Sequence, residues 1–409
     1  MSTQLWGGWD DETRDDPFPL FARARRRCPV QHVRLPDGHD AWVVLGYESA
    51  RHALGDARLS KDMVAAIEHN PDVVAEGLPG PEFARHMLAM DGADHTRLRR
   101  LVAAAFRPSR VAALRPAIQR LADDLLDDLA AAGPATTVDL RADFAHPLPF
   151  GVICELLGVE DEHRRTLQDA FATLLRPWPS PPPPEVVTSS DVVTGTLRTL
   201  LDGADPVPDG TLVEVLADAV RGNVATRTEA LSSLFQLVVA GHDTTSSLIG
   251  NGVVSLLDHP DQLALLREDP ALVPGAIEEL LRFTAAVPHA TFRVTTEAVE
   301  LDGVTVPAGQ QVLVGLGAAN RDPVLVESPD RLDVTRIPAR HLAFGHGPHH
   351  CLGAPLARLE AHLAFGSLLT RFPEMRLAVP RAELAWSHGD GLVLRGLAAL
   401  PVVLGPAHA

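Results

Sequence analysis

The sequence predicts a mainly α-helical fold with a smaller β part (α+β). Apolar residues recur at helical spacing through most of residues 93–283, whereas residues 290–315 form short β-like runs. The chain has 409 residues, 46% hydrophobic and 22% charged, which is enough to bury a large core. No linker is long enough to divide it. We therefore predict that residues 1–409 form a single domain, with a helix-rich lobe and a small β-rich lobe.

The first elements in chain order are a helix, a β-hairpin and a second helix. The hairpin is predicted because two apolar runs flank Pro36-Asp37-Gly38, a turn sequence. The three elements are predicted at Leu20–Arg26, His32–Leu45 and Glu48–Leu54.

Prolines and glycines interrupt the pattern from Lys61 to about Met90, and an irregular segment of that length is usually functional or disordered. Helical spacing then returns. The predicted helices are 93–106, 110–132, 149–157, 160–175, 187–201, 212–220, 228–257, 260–268 and 272–283. A second proline run, Arg176–Pro184, predicts a stiff polyproline segment, either a solvated linker or a rigid hinge.

The β part follows the last of these helices. An irregular stretch over Asn320–Arg340 then leads to a glycine-rich loop and a further helix. The predicted strands are 290–295, 299–301, 304–306 and 311–315, with a closing pair at 392–394 and 400–404.

Charge and cysteine usage argue against several classes of protein. The net charge of −17 disfavours general nucleic-acid binding. The three cysteines, Cys28, Cys154 and Cys351, are too few and too far apart for a disulfide framework. The sequence has no run of 18 apolar residues and no signal-peptide pattern. We expect a cytoplasmic protein that binds neither nucleic acid nor a membrane.

The glycine-rich loop Phe344–Ala354 places Cys351 just before a predicted helix N-terminus. Unpaired amides and the helix dipole favour the thiolate there, and Gly345, Gly347 and Gly353 permit close approach of a large flat partner. Such a thiolate can ligate a metal, attack an electrophile or carry redox chemistry. The alternatives are a buried cysteine that packs as a small hydrophobe and a zinc site shared with the histidines of the loop, although adjacent histidines do not easily converge on one tetrahedral ion.

A second group lies inside the long apolar helix, at Ala240-Gly241-His242-Asp243-Thr244. A glycine in mid-helix costs about 1 kcal/mol relative to alanine, and a carboxylate among apolar residues needs a partner. An acid beside a hydroxyl suits a proton relay, and a threonine that bends the helix would admit water or a small ligand. The alternative is a helix-packing glycine beside a buried polar network.

Two further groups are predicted from spacing. Glu279 and Arg282 share a helix face and are expected to pair, with Arg331 as a third member. Four other donors are suited to binding two carboxylates or phosphates, although a solvated surface is the alternative. These donors are His95, Arg99, Arg293 and His349.

Together these motifs resemble the soluble bacterial haem-thiolate monooxygenases of the cytochrome P450 family, especially actinomycete enzymes that tailor natural products. The resemblance spans about residues 15–404, and the cysteine loop is its most specific part. The matching signals, in order, are Ala240-Gly-x-Asp-Thr244, Glu279-x-x-Arg282, Ala319–Pro323 with Pro329-Asp-Arg331, and Phe344 with Cys351-x-Gly353.

The resemblance implies haem b beneath the long central helix, with Cys351 as the thiolate ligand of its iron. It implies that Asp243 and Thr244 supply protons for oxygen activation, and that Ala240 and Gly241 leave room for oxygen. The other implied cofactor-binding residues are Phe344, Gly345 and Gly353 of the loop, and His95, Arg99, Arg293 and His349 on the propionates.

The same resemblance implies a structural triad of Glu279, Arg282 and Arg331. It also implies a substrate pocket covered by the Lys61–Met90 loop and by the helices that flank the proline run, which would open and close. The Pro181–Pro184 run is unusual for such a lid. The implied pocket walls are Val239, Ala285, Ala286, Val287, His289, Leu392 and Val393.

The implied function is insertion of one oxygen atom from O2 into an apolar small molecule, by hydroxylation or epoxidation, in tailoring a natural product such as a polyketide or macrolide. No flavin or iron–sulfur motif is present, so we expect electrons to come from a ferredoxin and its ferredoxin reductase. We also expect a monomer. The expected docking residues are Arg97, Arg100, Arg107 and Arg358. Direct use of peroxide, a carrier-protein-bound substrate and a non-catalytic haem-binding sensor are the alternatives.

Overall fold

The computed structural model describes residues 15–35, 38–62, 83–159, 161–174, 182–203, 210–387 and 392–408. The chain divides into two compact units. Residues 1–60, 122–145 and 244–409 belong to the first unit, and residues 61–121 and 146–243 to the second. Two of the four boundaries fall within helices, at positions 121/122 and 243/244, and the other two lie at 60/61 and 145/146. That the whole chain is a single domain stays a prediction.

Helices account for most of the regular structure, as predicted. In chain order they are α1 Phe18–Arg27, α2 Tyr47–Gly55, α3 Gly92–Ala103, α4 Pro108–Ala113, α5 Arg115–Ala131, α6 Pro147–Leu157, α7 Asp161–Leu174, α8 Pro184–Leu201, α9 Leu212–Arg221, α10 Arg227–Leu257, α11 Pro260–Glu268, α12 Val273–Thr284, α13 Leu316–Asn320 and α14 Ala354–Arg371. Short 3-10 turns lie at Met87–Ala89, Pro270–Leu272, Gly347–His349 and Arg381–Glu383, and a π-helical turn at Arg141–Ala145.

The strands are short, and those described lie in the first unit. They are β1 Val30–Arg34, β2 Asp40–Val44, β3 Leu59–Ser60, β4 Thr137–Asp139, β5 Arg293–Thr295, β6 Val299–Leu301, β7 Val304–Val306, β8 Gln311–Val314, β9 Arg376–Leu377, β10 Trp386–Ser387, β11 Gly396–Leu397 and β12 Pro401–Val403.

The largest sheet has the strand order β1-β2-β8-β5-β3. The pair β2–β8 is parallel, with Trp42 opposite Val312, and the other pairs are antiparallel. Arg293 of β5 lies opposite Val312 of β8. The α+β prediction is therefore confirmed, and the sheet fixes the position of Arg293, one of the predicted donors.

A hydrophobic core covers one face of this sheet. Val44 and Val314 pack there with Ala50 and Leu54 of α2, and all four are at most 3% exposed. Complete burial of such an aliphatic side chain contributes about 1.5–3 kcal/mol. The same packing holds the C-terminal end of α2 in place, and the cysteine loop lies against that end.

Most predicted elements are confirmed, including the hairpin and the long helix, which was predicted to begin at residue 228 and begins at Arg227. The predicted helix over 110–132 is wrong, because it is two helices, α4 and α5. Pro116 has no N–H to donate to the carbonyl of Ala112, and the N–H of Leu114 turns to the Val111 carbonyl at 3.1 Å.

The predicted closing strand pair is also wrong. β12 pairs with β4 and β9, and β11 pairs with β10. Residues 392–394 are not a strand, and the N–H of Arg395 donates to the Ala286 carbonyl at 3.0 Å. The short helix α13 was not predicted, and most of the Lys61–Met90 loop and of the proline run lies outside the described residues. Across the described helices, none has the length and apolar character to cross a membrane.

Candidate active site

The cysteine loop belongs to the first unit and presents an exposed sulfur. Cys351 lies two residues before Gly353, the N-cap of α14, and its N–H donates to the Phe344 carbonyl at 2.8 Å. Because Cys351 is exposed, the interpretation as a small buried hydrophobe is wrong. The helix N-terminus favours an anion at this position.

Two glycines shape this loop, as predicted. Gly345 and Gly347 have φ of 71° and 73°, the left-handed region that favours glycine. A Cβ on Gly347 would lie 2.7 Å from the Leu54 carbonyl oxygen of α2, so only glycine fits. Gly353 has a φ of −78°, which is open to most residues, and its part in the close approach of a flat partner stays a prediction.

A cation lies beside the loop. Arg358 donates two hydrogen bonds to Glu278, at 2.7 and 2.8 Å, and its guanidinium carbon lies 4.5 Å from the centre of the Phe344 ring. The hydrogen bond to Glu278 raises the pKa of Arg358, and the charge of Cys351 adds to the increase. Burial tends to raise the pKa of Glu278, but its hydrogen bonds with Arg358 and His341 hold that pKa at about 2. A fixed positive charge therefore favours the Cys351 thiolate.

The zinc alternative at this loop is not supported. Through the described parts of the chain, three ligand-type atoms come within 4.8 Å of one another at His146, His242 and Asp243, and the loop histidines are not among them.

The acid–hydroxyl motif lies on α10, which is continuous α-helix from Arg227 to Leu257 without a local widening. Ala240 is exposed and Gly241 is half-buried. A Cβ on Gly241 would lie 3.1 Å from Cδ1 of Ile153 on α6. Gly241 therefore packs against α6, as the helix-packing alternative expects, and the role of Ala240 and Gly241 in leaving room for oxygen stays a prediction.

Asp243 is flanked by two imidazoles of the second unit. Its Oδ1 lies 3.9 Å from Nε2 of His146 and 3.9 Å from Nδ1 of His242. His242 is fully buried, and the carboxylate side chain is 18% exposed. The sequence motif contains His242, but no local signal pointed to His146, which lies on a different stretch of chain. The predicted polar network around Asp243 is thus present.

The predicted pair of Glu279 and Arg282 forms in the first unit. Arg282 donates two hydrogen bonds of 2.7 Å to Glu279, and both side chains are at most 3% exposed. The prediction of Arg331 as third member is wrong: that residue is exposed, and Arg282 reaches only its carbonyl, at 3.5 Å. Arg336 takes the place, with Nε 3.2 Å from Oε1 of Glu279, because the chain turns back after Arg331. Loss of one partner from such a buried group costs about 3–5 kcal/mol, so the network is structural.

The four predicted anion-binding donors divide between the units. In the second, His95 is buried on α3 and Arg99 follows one turn later. In the first, Arg293 is buried on β5 and donates to the Leu59 carbonyl at 3.1 Å, and His349 lies in the 3-10 turn before Cys351. The solvated-surface alternative is wrong for His95 and Arg293, which are 6% and 4% exposed.

The predicted pocket walls are of two kinds. A residue that lines a cavity large enough for a substrate is accessible to water. The half-buried members meet this condition; they are Val239, Ala286, Val287 and Val393. Ala285, His289 and Leu392 are at most 3% exposed and do not meet it.

His289 is therefore a core residue, which corrects the prediction. Its Nδ1 lies 2.8 Å from the Leu392 carbonyl, and its ring meets the Phe21 ring edge-on at 5.3 Å. Burial lowers the pKa of His289 to about 4, so the ring is neutral at pH 7. Ala285 caps α12 with φ of 47°, a backbone conformation that is uncommon for alanine.

The residues present fit a haem, the group that the resemblance implies. The first unit supplies an accessible sulfur at a helix N-terminus, two left-handed glycines and the buried cation Arg293. The second unit supplies His95, which is buried, and Arg99 one turn along the same helix. Taken unit by unit, a thiolate suits haem iron, and arginine and histidine side chains suit the carboxylates of propionates.

Comparison with known proteins gives consistent results. The profile of the family described as "Cytochrome P450" matches residues 192–378. "Cytochrome P450 107B1" of Saccharopolyspora erythraea is 45% identical over 400 residues, 96% of each chain. "6-Deoxyerythronolide B hydroxylase" of the same organism is 39% identical, over 96% of this chain and 97% of the relative. Among solved structures, the tirandamycin C-bound P450 monooxygenase TamI is 38% identical with a TM-score of 0.87, over 97% of this chain and 99% of that one.

Proposed function

Because this chain belongs to the cytochrome P450 family, we propose that it hydroxylates or epoxidises a polyketide or macrolide natural product, with haem b held by Cys351. The chain is a monooxygenase, and its family uses haem iron with a thiolate ligand. The observation that carries the assignment is the exposed Cys351 in the glycine loop that opens α14. When bound, the haem supplies the activation of dioxygen and the transfer of one oxygen atom.

On the thiolate side, the residues of this chain keep the sulfur charged. The N-terminus of α14 faces Cys351 with its positive dipole end. Arg358 adds a fixed cation that Glu278 holds in place. Both interactions favour the anionic sulfur and limit its movement. Gly347 lets the loop lie against the end of α2 and so anchors it.

On the oxygen side, Asp243 and Thr244 are proposed to transfer protons. Thr244, the next residue of α10, would give its hydroxyl proton to the oxygen side of the site and take a proton back from the carboxyl of Asp243, which water would reprotonate. Ala240, one turn earlier and exposed, has a side chain small enough to leave space beside the helix. The relay explains why a carboxylate is kept in a helix that is otherwise mostly apolar.

The propionates of the haem are carboxylates and need donors. His95, Arg99, Arg293 and His349 are proposed for this role, because charge-assisted hydrogen bonds from arginine are strong. Phe344 and Gly345 shape the loop against the macrocycle.

The substrate class rests on the relatives and on the pocket walls. One relative is named for hydroxylation of 6-deoxyerythronolide B, and one solved structure holds tirandamycin C. Four half-buried apolar residues remain as candidate walls, three in the first unit and one in the second, and apolar walls bind a large apolar molecule through surface burial. These walls are Val239, Ala286, Val287 and Val393. A carrier-bound form of the same substrate is the second candidate.

The proposed electron donor is a ferredoxin with its reductase. Of the four docking residues predicted, two are engaged in ion pairs: Arg97 with Glu229 and Asp94, and Arg358 with Glu278. Arg100 and Arg107 are exposed, so the proposed patch reduces to these two. We propose that the enzyme works as a monomer.

The test is oxygen labelling with two probe substrates. The holoprotein, supplied with a ferredoxin, its reductase and NADPH, is incubated with 6-deoxyerythronolide B or tirandamycin C under 18O2. We expect a product that carries one 18O atom, no product from Cys351→Ser, and wild-type turnover from the matched control Cys28→Ser, whose thiol donates to the Val30 carbonyl. Label that comes from water, or an active Cys351→Ser variant, would overturn the proposal.

A further inference from the structure

Three ligand-type side chains of the second unit converge at one place. His146, His242 and Asp243 each offer a donor atom, and these atoms lie within 4.8 Å of one another. We propose that these three residues form a binding site for a divalent transition metal ion of the zinc class. The site is separate from the thiolate loop and uses none of its residues.

The spacing of the three donors suits a shared ion better than direct hydrogen bonds. Oδ1 of Asp243 lies 3.9 Å from Nε2 of His146 and from Nδ1 of His242. A hydrogen bond joins such atoms at about 2.7–3.2 Å. Donors around tetrahedral zinc, at bonds of 2.0–2.1 Å, lie about 3.4 Å apart. A contraction of about half an ångström would bring each of these two His–Asp pairs to that spacing, and the two imidazole donor atoms lie within 4.8 Å of each other.

The surrounding structure positions the two imidazoles. His242 is fully buried on α10, with the Phe150 ring edge-on at 5.0 Å and the His146 ring at 4.0 Å. His146 precedes α6, on which Phe150 lies, and Ile153 of the same helix packs on Gly241. The contact between α6 and α10 beside the site holds the two imidazoles close to each other.

An outer-shell partner is also in place. The amide of Gln168 on α7 lies 3.1 Å from Nδ1 of His146. Metal-binding histidines commonly donate their second N–H to a carbonyl oxygen. Rotation of this amide presents Oε1 to Nδ1–H and leaves the lone pair of Nε2 for the ion.

The ligand set selects the class of metal. Two imidazoles and one carboxylate suit Zn²⁺, Ni²⁺ or Cu²⁺, whereas Ca²⁺ and Mg²⁺ prefer sites built from oxygen alone. Three protein ligands leave a fourth position for water. Occupation would engage the carboxylate of Asp243 and stop it from carrying a proton, so bound zinc would lower product formed per electron; this consequence, unlike the binding, rests on the proposed role of Asp243.

The test uses zinc alone as the probe, with holoprotein and equilibrium dialysis. We expect one Zn²⁺ per chain bound with at least tenfold higher affinity than any other zinc in the wild type. His146→Phe and His242→Phe should lose that ion, whereas His146→Cys, which keeps a zinc ligand, should retain it. His52→Ala is the matched control, because His52 is exposed and lies 3.6 Å from Asp56, so it removes a His–Asp pair elsewhere. Circular dichroism checks that each variant is folded.

X-ray absorption at the zinc edge separates this ion from the haem iron. The wild type should show nitrogen and oxygen neighbours at about 2.0–2.1 Å, and His146→Cys should add one sulfur at about 2.3 Å. Equal zinc stoichiometry in wild type, His146→Phe and His242→Phe would overturn the site, as would absence of sulfur in the His146→Cys spectrum. Neither measurement depends on turnover, so failure of the proposed function would leave this result intact.

Discussion

Two ionisable side chains near the start of α14, Cys351 and Glu360, have opposite environments. Cys351 is exposed beside Arg358, which favours its charged form. Glu360 is 2% exposed, and within the described residues its Oε2 has no hydrogen-bond partner. Burial raises the pKa of Glu360 well above its usual value and so favours the protonated form of this carboxyl.

Glu360→Gln tests this at the residue scale. Because the pKa of Glu360 is raised in the folded protein, its contribution to folding stability is complete below the unfolded pKa of about 4.3. That contribution is lost as pH rises through the folded pKa. The glutamine has no proton to lose, so the variant should gain stability over the wild type from pH 5 to pH 8. Thermal unfolding of the holoprotein at several pH values measures this gain. A difference that does not grow with pH, or that grows equally in the exposed control Glu383→Gln, would contradict it.

Thr244→Ala tests the relay. Without the hydroxyl, electrons should be consumed without matching product, and the product formed per NADPH should fall about tenfold or more, since general acid catalysis is worth about 10²–10⁴. Thr245→Val is the matched control on the same helix and should keep the wild-type ratio. Retention of tight coupling in Thr244→Ala would show that Oγ1 carries no proton.

At this scale the sequence predicted residues whose partners lie close in the chain. Glu279 and Arg282 are one helical turn apart and pair as expected. Arg336 and His146 were missed, because each meets its partner only through the folding of a distant segment. His289 was predicted to be a pocket wall, and that prediction failed because its burial depends on Phe21, far away in the chain.

At the scale of elements, the cysteine loop depends on α2. Gly347 places its backbone against the C-terminal end of that helix, where a Cβ would come within 2.7 Å of the Leu54 carbonyl. Gly345 has nearly the same φ, but a Cβ there would lie 3.9 Å from the His349 carbonyl oxygen, an ordinary van der Waals contact. Both positions therefore favour glycine for its backbone conformation, and only at Gly347 would a side chain also collide with α2.

Gly347→Ala should destabilise the holoprotein clearly more than Gly345→Ala. A left-handed backbone costs about 1–2 kcal/mol for a residue other than glycine, and both variants bear this cost. Only Gly347→Ala must also displace the loop from α2, so it should lose at least about 1 kcal/mol more. Urea unfolding followed by circular dichroism measures the free energies. Equal losses in the two variants would show that the contact with α2 does not anchor the loop.

The sequence predicted whole helices well where apolar spacing was regular. The bounds of α10 and α11 were predicted within one residue, since nothing competes with their helical pattern. Prediction from the sequence failed where a helix ends through a single hydrogen bond, as α4 does at Leu114. It also failed for pairings between distant strands, such as β12 with β4 and β9.

At the scale of the whole molecule, the chain is acidic, with a net charge of −17, yet its proposed electron donor is an acidic ferredoxin. A local basic patch is then required, and Arg100 and Arg107 are the exposed candidates. Neither composition nor net charge predicted which arginines are engaged in ion pairs, because Arg97 and Arg358 find their carboxylates only in the folded chain.

Arg100→Glu combined with Arg107→Glu should slow reduction by ferredoxin about tenfold or more at low salt, and the difference should shrink as salt screens the charges. Stopped-flow absorbance measures the rate. The control is Arg26→Glu with Arg376→Glu, which makes the same change in net charge at two other exposed arginines. Equal rates in the two double variants would reject the patch.

The central claim is that Cys351 holds haem iron as a thiolate. The absorbance spectrum of the reduced holoprotein with carbon monoxide tests it most directly. The account predicts a Soret band shifted far to the red in the wild type, and loss of that shift in Cys351→Ser but not in Cys28→Ser. A wild-type band at the position of histidine-ligated haem would contradict the claim and remove the basis for the proposed oxygen chemistry.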